Sequence, residues 1–377
     1  MNYRFVAALA GAAFLVAACG GDANTAETTA GEAPERMAMA DIVGLAEETT
    51  ANNEPLDDIC RRLYADAEAD TDLKVGLVAG AANIDDGTFS QAAFEGMEAA
   101  GRCFGLETSF LESAGDDSAG QLDTMLAKDV DIVITVGFPF QDVTLDAAAD
   151  RPDLRFIGVD QGNPDDLDNY VAIAFRDDQV GFIAGAMAGL LTEGGIVAVV
   201  AGPDTVPPVV AIADGFEAGV AHTNPEATVL RRHLDSFVDP ESGAATAQAN
   251  VGNGADVVFG AAGDTGTAAT RVAATSGAWA IGVDQDEYFT TFAGGAEPGA
   301  NRLATSAIKR VDLGVFLTLA AYSIGEVEGG GLLLGAENGG VGYAPFHQAD
   351  IGDDVAVALE DIRLGLASGD IEPLAGD

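Results

Sequence analysis

Basic side chains are scarce in this sequence. Its 377 residues carry 17 Lys and Arg against 61 Asp and Glu, a net charge of −44. Nucleic acid and anionic membrane surfaces both demand a basic patch, so neither is expected as a partner. The acids are scattered rather than set in calcium-loop spacing, which implies a heavily solvated acidic surface and no metal site. Histidine is scarcer still. His222, His233 and His347 are the only three, and none stands in H-E-x-x-H spacing for zinc. There is no G-x-x-x-x-G-K-[ST] phosphate loop and no G-x-S-x-G elbow. Catalytic machinery is therefore thin, and neither an enzyme nor a cofactor is expected.

No apolar run reaches the roughly 20 residues that a membrane-crossing helix needs. The one near the start, Phe5 to Val16, follows Arg4 and ends in Val16-Ala17-Ala18-Cys19. That is the pattern of a signal peptide. Small residues before a cysteine resemble a bacterial lipobox, which implies a signal peptide over 1–18 and lipid on Cys19. The protein would then sit at the cell membrane, lipid-anchored, on the extracytoplasmic face. In the alternative reading, the signal peptide is an ordinary one and Cys19 is incidental. Residues 19–55, rich in Ala, Thr, Glu and Gly, read as a flexible tether. If Cys19 carries lipid, Cys60 and Cys103 remain as a pair in an oxidising compartment, either bonded or as two free thiols.

What the chain does have is an internal repeat. D-I-V-I-T-V-G from Asp131 leads through a helix pattern to I-G-V-D-Q ending at Gln161. About 120 residues later, D-V-V-F-G-A-A-G from Asp256 leads through another to I-G-V-D-Q ending at Gln285. Upstream, K-V-G-L-V-A-G (74–80) matches G-I-V-A-V-V-A-G (195–202), and F-E-G-M (94–97) matches F-E-A-G (216–219). A repeat this long is too large for a solenoid unit and predicts two lobes of one α/β fold. Val75–Val78, Ile132–Val136, Phe156–Val159 and Val171–Phe175 are continuous apolar strands alternating with helical patterns. That alternation is the mark of doubly wound parallel sheets.

In such sheets ligands bind off the carboxyl ends of the strands. Asp160 and Asp284 stand at strand ends, as do Gly137-Phe138 and Gly263-Asp264-Thr265, so two facing lobes would gather them around one cleft. The stretch I-D-D-G-T-F after the first strand belongs there too. Asp86 or Thr88 can cap the helix that follows, and Phe89 is either core or a stacking platform for a planar ligand. Asp160 and Asp284 can accept hydrogen bonds from a vicinal diol, or could form an acid–base pair. Lys309 can donate to the same hydroxyls, neutralise an Asp, or lie on a solvated helix face.

Jointly, I-D-D-G-T-F-S-Q-A-A-F-E-G-M, V-G-F-P-F, A-F-R-D-D-Q-V-G-F-I-A-G, G-F-E-A-G-V, G-A-D-V-V-F-G-A-A-G-D-T-G, I-G-V-D-Q-D and I-K-R-V-D resemble the basic membrane protein family. These are substrate-binding lipoproteins of the purine-nucleoside receptor type that feed ABC transporters. The resemblance covers about residues 73–346. It implies a type I periplasmic-binding-protein fold, with two Rossmann-like lobes and a nucleoside in the cleft. It also implies that Phe89 stacks on the base, with Asp86, Thr88 and Ser90 on the same wall. Asp160 would contact the ligand from the first lobe, while Asp284 and Lys309 hold ribose hydroxyls. This chain departs from the family at Gly80, where nucleoside-binding members usually carry Asp. Ser90 replaces a frequent Asn, and Thr270 a frequent Phe. Fewer base-specific contacts would follow, although Asn83 offers both a donor and an acceptor.

The expected organisation places 56–174 plus about 285–312 in lobe 1, and 175–284 plus about 313–377 in lobe 2. Hinges are expected around 174–176, 283–285 and 304–306, and Trp279 on a strand reaching the cleft. The expected partners are a nucleoside-like small molecule and ABC permease subunits, with membrane contact through the lipid alone. The alternatives are a ligand-sensing protein without a transport role, or an exported nucleoside or glycoside hydrolase using Asp160 and Asp284.

Overall fold

The computed structural model describes residues 36–47, 54–80, 84–111 and 117–374. The proposed signal peptide, Cys19 and Asn83 lie outside the described residues. The chain first forms β1 (Arg36–Met37), α1 (Met39–Glu47), α2 (Leu56–Leu63), β2 (Lys74–Ala79), α3 (Phe89–Phe104), β3 (Glu107–Leu111), α4 (Ser118–Leu126), β4 (Ile132–Val136), α5 (Gln141–Asp150), β5 (Arg155–Val159) and β6 (Tyr170–Phe175). It then continues through α6 (Asp177–Leu191), β7 (Ile196–Ala201), α7 (Pro207–Thr223), β8 (Thr228–His233), α8 (Pro240–Gly252), β9 (Val257–Ala261), α9 (Gly263–Thr275), β10 (Trp279–Asp284), α10 (Glu287–Thr290) and β11 (Leu303–Lys309). Finally come α11 (Val311–Ile324), β12 (Glu326–Val327), β13 (Gly330–Leu334), β14 (Val341–Tyr343) and α12 (Asp353–Ser368).

Two six-stranded sheets result, in the orders β13-β6-β5-β4-β2-β3 and β14-β11-β10-β9-β7-β8. The first is parallel throughout, and in the second only β14 runs antiparallel, against β11. Position by position the two orders correspond, so the repeat in the sequence is a repeat in the fold. β4, Ile-Val-Ile-Thr-Val, is buried at every residue because helices cover both faces of its sheet. On one face α2, α3 and α11 pack through Ile59, Ala93, Met97 and Leu317; on the other α4 and α5 pack through Leu122 and Ala148. α3 turns Ala93, Gly96, Met97 and Ala100 inward at helical spacing and ends at Gly105, whose φ of 76° suits glycine. Cys60 of α2 and Cys103 of α3 form a disulfide with Cα atoms 6.0 Å apart.

In the second lobe α6 and α7 approach backbone to backbone. A Cβ on Gly185 would lie 2.0 Å from the Phe216 carbonyl oxygen, and one on Gly219 2.1 Å from that of Phe182. The V-G-F-I-A-G and G-F-E-A-G-V runs thus set the position of α7, whose first turns enter the cleft described below.

The sheet orders correct the expected lobe boundaries. β11, expected in lobe 1, bonds to β10 in the second sheet; α11 and β13, expected in lobe 2, pack on and extend the first. The chain therefore changes lobe at Arg176, Arg310 and Gly335, not at 283–285 or 304–306. At two of these crossings an Arg-x-Asp pair recurs. Arg176 makes a two-pronged contact with Asp178, and Arg310 with Asp312. The tether reading is also corrected over 36–47. β1 pairs in parallel with β12, and α1 buries Ile42 and Ala46 completely against the first core. Met39, Val43 and Leu45 pack beside them, an apolar cluster that the overall Ala, Thr, Glu and Gly content of 19–55 conceals.

Candidate ligand-binding cleft

Each lobe ends one inner strand in I-G-V-D. Asp160 directly follows β5, and Asp284 is the last residue of β10. Both adopt the left-handed backbone, with φ of 56° and 65°. That conformation costs a non-glycine residue about 1–2 kcal/mol, and Asp is among the residues that tolerate it best. Such strain recurring at matched positions of two lobes marks a functional site. Both residues line a cavity with about 710 Å³ of empty space, mouth included, between the carboxyl ends of the two sheets.

Lys309, the last residue of β11, sits among these acids and is 2% exposed. Its Nζ lies 2.7 Å from Asp160 Oδ2 and 2.7 Å from Oδ1 of Asp177, the first residue of α6. The rings of Phe89 and Phe175 each stand 5.0 Å from the ammonium. Burial by itself would lower the Lys309 pKa, but Asp160, Asp177 and Asp284 together hold it above its ordinary value. Asp284 is raised to about 7, chiefly by burial; Lys309 opposes the rise, and Asp86, Asp160 and Glu287 add to it. Asp177 is raised for the same first reason, burial, against the pull of Lys309. One cation is thus shared by three carboxylates. Oδ1 of Asp160 is buried and accepts no hydrogen bond from the described residues. An acceptor left so is worse by about 1–3 kcal/mol, which a donor arriving in the cleft would recover.

The start of α3 forms the facing wall. Asp86 accepts hydrogen bonds from the N–H groups of Thr88 (2.8 Å), Ser90 (3.1 Å) and Gln91 (3.1 Å), so it caps the helix as its sequence position suggests. Burial outweighs these bonds and raises its pKa to about 6. Asp86, Phe89 and Ser90 line the cavity. Thr88 is fully buried behind them, and its carbonyl accepts a 2.9 Å bond from Gln285 of the other lobe. Thr290 donates similarly to the Gly87 carbonyl at 2.8 Å. The lobes are therefore latched together across the cleft mouth.

Of the other residues singled out from the sequence, Phe138 and Gly263 line the cavity. Asp264 and Thr265 do not. The Thr265 hydroxyl donates to the Ser236 carbonyl and accepts from the Asp239 N–H, a loop-holding role. Trp279 begins β10, the strand that reaches the cleft at Asp284, and stacks with Arg302 at 4.8 Å. At ~3.3 Å per residue it lies about 16 Å of strand from Asp284. Sequence reasoning missed Asp177 and the apolar wall from lobe 2: Val206, Pro208, Val209, Ile212 and Phe237. The repeat held the signal for the wall, since the segment after β7 is the counterpart of I-D-D-G-T-F after β2.

Comparison with known proteins agrees with this architecture. A solute-binding protein of an ABC transporter system from Aeropyrum pernix K1 superposes with a TM-score of 0.71 at 21% identity, over 80% of this chain and 92% of that one. A CD4+ T-cell-stimulating antigen of Listeria innocua is 30% identical over 81% of this chain and 89% of its own length. The ABC transporter nucleoside-binding protein BmpA of Lactococcus lactis is 28% identical over 78% of this chain and 87% of its own. The family model described as ABC transporter substrate-binding protein PnrA-like matches residues 73–357. With its two-lobed fold and inter-lobe cleft, the chain belongs to this family of ABC transporter substrate-binding proteins.

Proposed function

We propose that this protein is the exported, lipid-anchored receptor of an ABC importer, and that it captures a nucleoside by closing its lobes over it. One observation carries the ligand class. Two strained aspartates, one from each lobe, face a common cavity, and a buried oxygen of Asp160 has no donor among the described residues. Carboxylates at such positions suit the vicinal hydroxyls of a sugar ring. Phe89, at the same wall, offers a face on which a base can stack, worth about 1–3 kcal/mol. In this reading Asp284 and Asp160 accept from the ribose hydroxyls. Lys309 chiefly holds the carboxylates in their charged form, with one ammonium proton left for the ligand. Asp86 belongs with them to the charged end, while Ser90 shapes the wall beside Phe89 with Thr88 buried behind it. The lactococcal relative's name, a nucleoside-binding protein, points the same way.

Anchoring by lipid on Cys19 completes the proposal. Labelling with a fatty acid, present in the natural chain and absent from Cys19→Ser, is the expected result. For the ligand, calorimetric titration of the protein lacking residues 1–19 is expected to give a saturable response to nucleosides. Asp284→Ala and Phe89→Ala should each weaken it at least tenfold. Response to simple sugars alone, with none to any nucleoside, would refute the ligand class.

A further inference from the structure

The cavity is unevenly furnished. Among the described residues, its charged side chains are Asp86, Asp160, Asp284 and Lys309, and interactions among them are felt in their proton affinities. They form one end. The wall supplied by lobe 2 is Val206, Pro208, Val209, Ile212 and Phe237, none of which has a side-chain donor or acceptor. On the lobe 1 side the chain passes as bare backbone at Gly80. A Cβ there would fall 2.7 Å from the Val136 carbonyl oxygen, so the position does not admit a side chain without moving β4. Beyond the charged end, Ser90 is the one polar side chain among the described residues that lines the cavity. A hydroxyl both donates and accepts, and it rotates to suit, so it cannot tell an amino edge from an oxo edge. The carboxylate of Asp86 already receives three backbone N–H groups. α7 opens with Pro207-Pro208, which removes two of the backbone donors that a helix start would otherwise offer.

We infer that this receptor reads its ligand by the hydroxylated half alone, and holds the other half by stacking and shape. Its substrate class is therefore ribosides in general: purine nucleosides with any exocyclic pattern, and ribosides of plain aromatic rings. The inference rests on the nucleoside reading above and narrows it. The magnitudes decide how sharply it can be tested. A buried side chain built to bond a base edge rejects an analogue lacking that edge by factors of 10⁴ or more in favourable cases. An apolar wall discriminates at only about 10–200-fold, and by size rather than by hydrogen-bonding pattern.

The experiment is isothermal titration of the protein lacking residues 1–19 with a matched set of probes. Adenosine and inosine exchange a donor for an acceptor on the same ring system. Purine riboside lacks the exocyclic group altogether, and phenyl β-D-ribofuranoside lacks ring nitrogens as well. 2′,3′-Dideoxyadenosine keeps the base and loses the diol. The expected result is that the first three bind within about tenfold of one another. Phenyl riboside should follow within a further tenfold, and the dideoxy compound should lose at least a hundredfold. A difference beyond a hundredfold between adenosine and inosine, or between either and purine riboside, would overturn the inference while leaving the nucleoside reading standing. If no riboside binds and a free polyol such as myo-inositol does, the nucleoside reading itself falls and takes this inference with it.

Discussion

Replacing Lys309 by Met tests the electrostatic logic of the cleft most directly. Methionine keeps the length and apolar stem of the side chain, so the substitution removes a charge and little volume. The ammonium stands 2.7 Å from carboxylate oxygens of both Asp160 and Asp177 and is 2% exposed. At an effective dielectric constant of ~20 each such pair gains roughly 6 kcal/mol before desolvation is counted. Removing one partner of a buried pair costs about 3–5 kcal/mol net, because the other charge is left uncompensated. A carboxylate has an escape, however: it can take up a proton. That escape costs about 1.4 kcal/mol for each pH unit above the unfolded-state pKa of ~3.9. At pH 8 it is therefore expensive, about 5–6 kcal/mol per carboxylate, and at pH 5 it is cheap, about 1.5. The expected result is a loss of about 3–5 kcal/mol at pH 8 that shrinks to 2 kcal/mol or less at pH 5. Urea denaturation followed by far-ultraviolet circular dichroism at the two pH values reads it. An equal loss at both, or a loss below 1 kcal/mol at pH 8, would refute the picture of one lysine holding the carboxylates charged.

Asp284→Asn should have the opposite sign on stability. The folded-state pKa of Asp284 is about 7 against an ordinary 3.8, so the folded state binds the extra proton between these values. The stability of the natural protein therefore falls as pH rises from about 4 to 7, and the full cost is present above 7. The variant should match it near pH 4 and exceed it by about 2–4 kcal/mol at pH 8, with ligand affinity reduced at least tenfold; a variant less stable than the natural protein at pH 8 would contradict this assignment. Reducing the Cys60–Cys103 disulfide, which closes a loop with a sequence separation of 43, should cost about 2–4 kcal/mol in chemical denaturation, and an unchanged midpoint would argue against it. Gly185→Ala forces a methyl group to within 2.0 Å of the Phe216 carbonyl. It should cost about 1–3 kcal/mol or more and weaken ligand binding by displacing α7, whereas Gly252→Ala, on α8 with open space around it, should cost nothing measurable.

Much of this fold was legible because buried parallel strands are short, apolar and β-branched, and because the lobes repeat. The strands around Asp160 and Asp284 could be placed at matched carboxyl ends from I-G-V-D-Q alone. The crossings could not. β11 and β13 are apolar segments that either sheet would accept, and periodicity records that a strand is buried without recording beside which neighbour. The same blindness hid the lobe 2 wall, since Val209 and Ile212 look like any residues on the inner face of a helix. Asp177 escaped for a different reason. R-D-D before an apolar run reads as a helix start, and only the return of β11 beside the first crossing brings Lys309 to it.

The repeat also explains why the cleft is asymmetric. After the first strand of each lobe the chain enters the cleft at the same place and then starts a helix. In lobe 1 that segment is I-D-D-G-T-F-S, acidic and aromatic; in lobe 2 it is D-T-V-P-P-V-V, apolar and short of N–H groups. Two copies of one scaffold have thus acquired opposite surfaces at equivalent positions. The apolar segment lines a cavity whose other end holds three acids and one lysine. A small polyol would leave the apolar wall unfilled, and a purely aromatic ring would leave the buried Asp160 oxygen without a donor. A molecule with hydroxyls at one end and a flat apolar ring at the other satisfies both. Exchanging the tip of the lobe 2 segment for a polar one, as in Val209→Asn, should therefore weaken ribosides of plain aromatic rings more than it weakens nucleosides. Equal weakening of both would mean that the ring half of the ligand does not lie on that wall.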